Sequence, residues 1–174
     1  MIYTIGHSTR TLDYFLQMLD SFGIKFVADI RRHPGSTKYP QYNKDQLSRS
    51  LQENKIAYRH FPELGGRRKV SPDSKNTAWK NESFRAYADY METPEFSHGI
   101  INLEHEASNT PTAFMCSEAV WWRCHRSLVA DYLKWKGWDV QHIMDVSKST
   151  EHPFTKPAKI INGMLDYSSS FPGS

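Results

Sequence analysis

The chain has 174 residues, the length of one ordinary domain. Apolar residues make up 39% and charged residues 24%, which supports a packed core and excludes an intrinsically disordered chain. The formal net charge of +3 permits an anionic partner without demanding nucleic acid. The sequence has two cysteines, no signal-peptide pattern, and no apolar run near the ~20 residues of a membrane span. We therefore expect a soluble cytoplasmic protein with free thiols and no membrane partner.

Apolar runs alternate with helical stripes along the chain. Strands are predicted, in order, at 2–5, 24–30, 56–61, 112–116 and 140–146. Helices are predicted to begin near residues 12, 43, 84, 93 and 124, and a last helix is predicted at 157–165. This alternation predicts one α/β domain over 1–167, with a mostly parallel sheet of about five strands and helices on both faces. We expect a Rossmann-like three-layer fold, and a disordered tail at 168–174.

Polar residues cluster where the predicted strands end. Because ligands of parallel α/β folds bind beyond the carboxyl ends of the strands, these clusters predict one shared pocket. The substrate-binding candidates are His7, Ser8, Arg10, Arg31, Ser36, Gly65, Gly66 and Arg126, and the catalytic candidates are Glu118, Cys124, His125 and Asp29.

The same segments resemble a known family. The motifs are Thr4-Ile5-Gly6-His7-Ser8, Asp29-Ile30-Arg31-x-x-Pro34-x-Ser36, Leu64-Gly65-Gly66, Phe84-Arg85-x-Tyr87-Ala88, Cys116-x-Glu118 and Cys124-His125-Arg126. Over residues 1–145 they are similar to the domain of unknown function 488 family. The resemblance implies a bacterial or archaeal soluble protein, and it implies no particular activity.

Several of these residues also have structural interpretations. Ser8 and Thr9 can cap the first helix, and Asp29 can form an ion pair with Arg31 instead of orienting an oxyanion clamp or acting as a base. The glycine pair suits a turn. In the same way, Arg67, Arg68 and Lys69 suit a solvated patch, and Trp121 and Trp122 suit the core.

The segment from Cys116 to Arg126 is the strongest catalytic candidate. Glu118, just past a buried strand, can accept from Arg126 or serve as acid, base or nucleophile in a dry pocket. Cys124, at the start of a helix beside His125 and Arg126, is expected to favour its thiolate. Cys116, at the end of an apolar strand, is expected to be buried and slow to react.

Three functions are compatible with this pattern. The first is an enzyme for a phosphate-bearing or other anionic substrate, such as a nucleotide or nucleic acid, with Arg10, Arg31 and Arg126 binding the anion. The second is a metal-binding or redox protein that uses Cys116, Cys124, His125 and His7, although this spacing is not diagnostic and we predict no metal site. The third is a non-catalytic nucleic-acid-binding module that uses the basic patch. The sequence indicates no cofactor, reaction class or oligomeric state.

Overall fold

A computed structural model describes residues 1–169 as a central sheet with helices on both faces. The strands are β1 (Ile2–Gly6), β2 (Phe26–Asp29), β3 (Ala57–His60), β4 (Thr112–Cys116), β5 (Val140–Asp145), β6 (Lys148–Glu151), β7 (Lys159–Ile161) and β8 (Met164–Asp166). The α-helices are α1 (Leu12–Ser21), α2 (Lys44–Glu53), α3 (Glu82–Tyr90), α4 (Pro94–Asn109) and α5 (Arg126–Trp135). None of these helices is both long and apolar enough to cross a membrane.

The main sheet has the strand order β3-β2-β4-β1-β5-β6. The first five strands are parallel, and β6 pairs antiparallel with β5. Side chains of β2 and β4 are buried on both faces, as expected for central strands covered by helices. One core layer lies between the sheet and α1 and α2, and the other between the sheet and α3, α4 and α5. The predicted three-layer α/β fold is confirmed, with six strands in the sheet instead of about five.

The predicted last helix at 157–165 is wrong. This segment forms the antiparallel hairpin β7-β8, with Asn162 and Gly163 at its tip. Both tip residues have positive φ, 51° and 76°, which is the conformation of the tight hairpin turn that Asn-Gly favours. The apolar spacing of Ile160, Ile161 and Met164 resembles a helical stripe, but the turn residues decide the structure. Of the predicted tail, Ser168 and Ser169 are described and form hydrogen bonds, and 170–174 lie outside the described residues.

A buried polar chain connects the C-terminal part of the fold to the sheet. The Thr4 hydroxyl is 2.6 Å from His142 Nδ1, His142 Nε2 is 2.8 Å from His152 Nδ1, and His152 Nε2 is 2.8 Å from Asp131 on α5. Burial lowers the pKa of His142 to about 2, so its ring is neutral. Trp121 stacks on His142 with the ring centroids 4.5 Å apart. These contacts anchor α5 to the sheet. Cys124 lies just before the N-terminus of that helix.

The loops that follow β1 and β2 differ in detail from the predicted caps. Thr11, not Ser8 or Thr9, caps α1 by accepting from the backbone N–H of Tyr14. Asn43 precedes α2 but its side chain caps nothing there, because its Oδ1 accepts from the Ser36 backbone N–H at 2.5 Å. This bond closes the loop that carries Ser36.

Candidate active site

A cavity of about 640 Å³ opens at the C-terminal edge of the sheet. It lies where β1, β2 and β4 end, as the strand-end clusters predict. Eight of the twelve predicted site residues line it: His7, Ser8, Arg31, Ser36, Gly66, Glu118, Cys124 and His125. The chain positions of these residues span more than a hundred residues, and the parallel sheet brings them together.

The other four predicted site residues do not line the cavity. Arg10 donates to the carbonyl oxygens of Gly6 and, at 3.5 Å, Met144. Asp29 is fully buried and pairs with Arg31, and Arg126 is also buried. Gly65 packs on the backbone of Arg32, where an added Cβ would lie 2.8 Å from the Arg32 Cα.

Arg31 is held rigidly at the cavity by Asp29. Its Nε and Nη2 donate to the two carboxylate oxygens at 2.9 and 2.7 Å, and Asp29 is fully buried. Nη2 also donates to the Tyr42 carbonyl oxygen, and the Tyr58 hydroxyl donates to Asp29 at 2.6 Å. The predicted ion pair is therefore present, and Arg31 is one of the residues that line the cavity. The structure shows the structural interpretation of Asp29, as the ion-pair partner of Arg31. The oxyanion clamp stays a prediction.

His7 is a neutral neighbour of Arg31. Its Nδ1 donates to the Ser8 carbonyl oxygen at 2.9 Å, so Nε2 has the lone pair that faces Arg31 Nη1 at 3.3 Å. The ring stacks on Tyr42 with centroids 4.1 Å apart. Burial, together with the charge of Arg31, lowers the pKa of His7 to about 4. The ring therefore orients Arg31 without adding a charge of its own.

Cys124 and His125 form a thiol–imidazole pair at the cavity. His125 Nε2 donates to the Ile30 carbonyl oxygen at 2.9 Å, which leaves Nδ1 as an acceptor 3.6 Å from the Cys124 sulfur. The same sulfur accepts from the backbone N–H of Arg126 at 3.4 Å, at the N-terminus of α5. Burial lowers the pKa of His125, so its ring is neutral and able to accept a proton.

The pKa values of the two thiols shift in opposite directions, as the sequence predicts. Burial raises the pKa of Cys116 well above its ordinary value, and its hydrogen bond to Cys124 raises it further. Burial alone would also raise the pKa of Cys124. It is instead lowered, because the Cys116 hydrogen bond, the charge of Arg126 and the Arg126 backbone N–H together outweigh burial. Cys124 was predicted at the start of a helix. It lies one residue before His125, the N-cap of α5, and is therefore outside the helix.

Arg126 is a buried cation whose contacts are backbone carbonyls. Its Nη2 donates to the carbonyl oxygens of Glu118 and Ala119 at 3.0 and 3.5 Å, and its buried Nε has no hydrogen-bond partner among residues 1–169. Within that range it forms no ion pair with a carboxylate. A buried charge without a counterion is costly. The Cys124 thiolate is therefore a suitable anion for it.

Glu118 differs from the prediction of a desolvated carboxylate. Its side chain is exposed at the cavity and forms no hydrogen bond with Arg126, which binds the Glu118 backbone oxygen. The reason is that β4 ends at Cys116, so Ser117 and Glu118 leave the sheet toward solvent. Gly6 makes this turn possible, because a Cβ there would lie 1.7 Å from the Glu118 oxygen.

A family model described as Domain of unknown function DUF488 matches residues 11–133. The chain belongs to the DUF488 family. No curated protein and no solved structure matched the chain. The matched range contains Arg31, Glu118, Cys124 and His125, and it ends within α5, before β5. His7, just after β1, precedes it. Most of the cavity wall therefore belongs to the shared DUF488 sequence.

Arginines outnumber carboxylates in the cavity lining of this DUF488 protein, although Arg31 is paired with Asp29. Among its described lining residues are four arginines, Arg31, Arg32, Arg67 and Arg123, and one carboxylate, Glu118. Two residues of the predicted basic patch, Arg67 and Arg68, have different environments, and only Arg67 lines the cavity. Arg68 lies over the Tyr90 ring at 3.6 Å and donates to two carbonyl oxygens, so its role is structural. Arg32 and Arg123 were not among the candidates, although each directly neighbours one of them in sequence.

Tyr87 and the glycine pair shape the wall around His125. The Tyr87 hydroxyl donates to the Leu64 carbonyl oxygen at 2.7 Å, and the Tyr87 ring lies 5.0 Å from the His125 ring. A Cβ on Gly66 would lie 3.0 Å from His125 Nδ1. Gly65 and Gly66 have no positive φ, so close approach explains them, and not the predicted turn. Tyr87 was missed because an aromatic residue at helical spacing is ordinarily core.

The arrangement offers no ready metal centre in the part of the chain that the structure describes. Within 1–169, no three His, Cys, Asp or Glu side chains are grouped so that they could hold an ion. His7 is engaged by Ser8 and Arg31, and His125 by Ile30 and Cys124. The chemistry that the residues do offer is a thiol beside a proton acceptor in a cationic cavity.

Proposed function

We propose that this DUF488 protein is an enzyme that acts on a phosphate-bearing or similarly anionic small molecule, with Cys124 as its nucleophile. The observation that carries the proposal is the buried Arg126 guanidinium, which forms no ion pair with a carboxylate within 1–169 and whose charge lowers the pKa of the Cys124 thiol. A lowered thiol pKa is the property of a reactive cysteine. A cytoplasmic location is part of the proposal, because free thiols persist in reducing compartments.

The cavity residues divide into binding and reacting groups. Arg31 Nη1, with Arg32 and Arg123, binds the anion near the Cys124 sulfur. Asp29 touches no ligand in this scheme and acts as a positioning residue for Arg31. The volume of about 640 Å³ suits a nucleotide-sized ligand.

The proton acceptor is assigned from the hydrogen bonds of His125. Because Nε2 donates to Ile30, only Nδ1 is able to take the thiol proton when Cys124 attacks. Glu118, exposed at the cavity mouth, is in a position to exchange protons between a bound substrate and solvent.

Alkylation of the two cysteines tests the proposal. Iodoacetamide labelling of the native protein, followed by mass spectrometry across pH, compares wild type with Cys124→Ser and Cys116→Ser. We expect Cys124 to react much faster than Cys116 near neutral pH, and phosphate or a nucleotide to slow it. Arg31→Gln is the matched variant, which retains a reactive Cys124 but loses the protection by anions.

Two results would contradict the proposal in different ways. Equal, slow labelling of both cysteines in the folded protein would remove the nucleophile. Rapid labelling of Cys124 that no anion slows would keep the nucleophile but remove the anion site.

A further inference from the structure

Three arginines that line the cavity have guanidinium groups without a protein partner in the described fold. Six of the ten arginines of the chain donate to carbonyl or carboxylate oxygens, and these are Arg10, Arg31, Arg59, Arg68, Arg85 and Arg126. The side chains of the other four form no hydrogen bond or ion pair within residues 1–169. Of these four, Arg32, Arg67 and Arg123 line the cavity, and Arg49 lies on α2. The arginines that the fold leaves free are therefore concentrated at one site.

Each of the three free arginines belongs to a segment that meets the thiol–imidazole pair. Arg32 lies two residues after Ile30, whose carbonyl oxygen accepts from the imidazole Nε2 at 2.9 Å. Arg67 follows Gly66, where an added Cβ would lie 3.0 Å from the imidazole Nδ1. Arg123 directly precedes the cysteine of the pair. Three segments that are distant in sequence therefore each contribute one free guanidinium to the cavity around the proposed nucleophile.

Free hydroxyl groups line the same cavity. The side chains of Ser8, Thr9, Ser83 and Ser117 are lining residues, and none of them forms a hydrogen bond within residues 1–169. Hydroxyl and guanidinium donors are the groups that proteins use to bind phosphate oxygens. Glu118 is the one carboxylate among the described lining residues. The cavity therefore presents many hydrogen-bond donors that the protein does not satisfy itself, and a ligand rich in acceptor oxygens would match them.

We infer that the anionic substrate carries two or more linked phosphate groups, as pyrophosphate, tripolyphosphate and nucleoside di- and triphosphates do. This inference rests on the proposed function and names its substrate class. A guanidinium binds a phosphate best through two parallel N–H groups, each to its own oxygen. A phosphate monoester has three acceptor oxygens, too few for such a contact with all three free arginines, and each further phosphate adds oxygens and charge. The cavity of about 640 Å³ is in the size range of sites for drug-sized ligands, which is more than one phosphate ion needs.

Ligands that differ in phosphate number test the substrate class. Isothermal titration calorimetry of the wild-type protein compares an inorganic series (phosphate, pyrophosphate and tripolyphosphate) with a nucleoside series (adenosine, AMP, ADP and ATP) at constant ionic strength. We expect the affinity to rise about tenfold or more with each added phosphate in both series, because each one gains charged hydrogen bonds. The same order should hold for how strongly the ligands slow the alkylation of Cys124. Equal affinities for tripolyphosphate and ATP would identify an inorganic ligand, and tighter binding of ATP a nucleotide.

Glutamine variants test the role of the three arginines. Arg32→Gln, Arg67→Gln and Arg123→Gln should each weaken tripolyphosphate binding about tenfold, with a smaller effect on phosphate, which can still use the remaining arginines. The triple variant should bind tripolyphosphate no more tightly than wild type binds phosphate. Arg49→Gln is the matched control, because Arg49 also lacks a partner within 1–169 but does not line the cavity. Since none of these four guanidinium groups is bound to the fold, all the variants should melt like wild type in circular dichroism.

The outcomes separate this inference from the proposed function. If phosphate and tripolyphosphate bind equally well and slow Cys124 alkylation equally, the inference fails and the proposed function stands. The inference also fails if citrate binds as tightly as tripolyphosphate, which would show a site for charge alone, or if a single-stranded oligonucleotide binds more tightly than either series, which would favour nucleic acid. If affinity rises with phosphate number but Cys124 is inert, the nucleophile fails and the polyphosphate site stands. If no anion binds, both proposals fail.

Discussion

Replacing Asp29 with asparagine should destabilise the protein strongly through Arg31. Asp29 accepts from the Arg31 backbone N–H, Nε and Nη2, and from the Tyr58 hydroxyl, and it is fully buried. The amide keeps the shape but removes the charge and presents N–H groups to the Arg31 guanidinium. Breaking a buried ion pair on one side costs about 3–5 kcal/mol.

Urea unfolding measures this effect directly. With a slope of about 2 kcal/mol/M, a loss of about 4 kcal/mol lowers the unfolding midpoint by about 2 M. The matched control is Tyr58→Phe, which removes one hydrogen bond to the same carboxylate and should cost about 1 kcal/mol. The two variants therefore separate the loss of the Asp29 charge from the loss of one hydrogen bond to Asp29.

A double variant decides whether the cost arises from an unpaired Arg31. Removing both charges with Asp29→Asn and Arg31→Met should restore part of the stability that Asp29→Asn loses, because no buried charge then remains unpaired. If Asp29→Asn unfolds within about 1 kcal/mol of wild type, or if the double variant is additive, Arg31 does not depend on Asp29 and our account of the clamp is wrong.

Four further predictions concern pH, packing, nucleic acid and metal. The pKa of His7 is about 4 in the folded protein, against an ordinary histidine value of 6.5, so the unfolded chain binds the proton first as pH falls. Urea midpoints should therefore be highest above pH 6.5 and fall toward pH 4, with a shallower fall in His7→Gln. Gly6→Ala should prevent folding because its Cβ would lie 1.7 Å from the Glu118 oxygen, whereas Gly35→Ala, with nothing within 4 Å, should melt like wild type. We expect weak, sequence-independent nucleic-acid binding at low salt that Arg67→Ala reduces, and no binding at low ionic strength would remove nucleic acid as a partner. We expect no tightly bound metal after purification without chelators, and stoichiometric zinc or iron would favour the metal-binding interpretation.

The positions of the strand-end residues were predictable because they depend on topology. Strands that run parallel bring their carboxyl ends to one edge, so His7, Arg31 and Cys124 could be assigned to one pocket from spacing alone. The close agreement of β4 with the predicted strand follows from its continuous apolar run. Local patterns of this kind do not depend on distant contacts.

Other features depend on contacts that local sequence does not encode. The partner of Arg126 is a backbone oxygen, and no pattern of side chains predicts a carbonyl acceptor. Tyr42 contacts His7 from 35 positions away, which only the folded loop reveals. The exposure of Glu118 follows from a turn that begins one residue after the strand. The hairpin at 159–166 was available from Asn162-Gly163, and the helical spacing of its neighbours obscured it.

The charged residues and the titrating residues of the site are different side chains. Its positive field comes from arginines, which stay charged at any physiological pH, while burial lowers the pKa of both His7 and His125 and leaves these rings neutral. Neutral imidazoles orient Arg31 and accept from Cys124 without repelling each other or the arginines. The Cys124 thiol, whose pKa is lowered, is then the group whose ionisation changes the reactivity of the cavity. The proposed function therefore assigns anion binding and nucleophile formation to different residues, so that we expect a change in pH to alter the second without weakening the first.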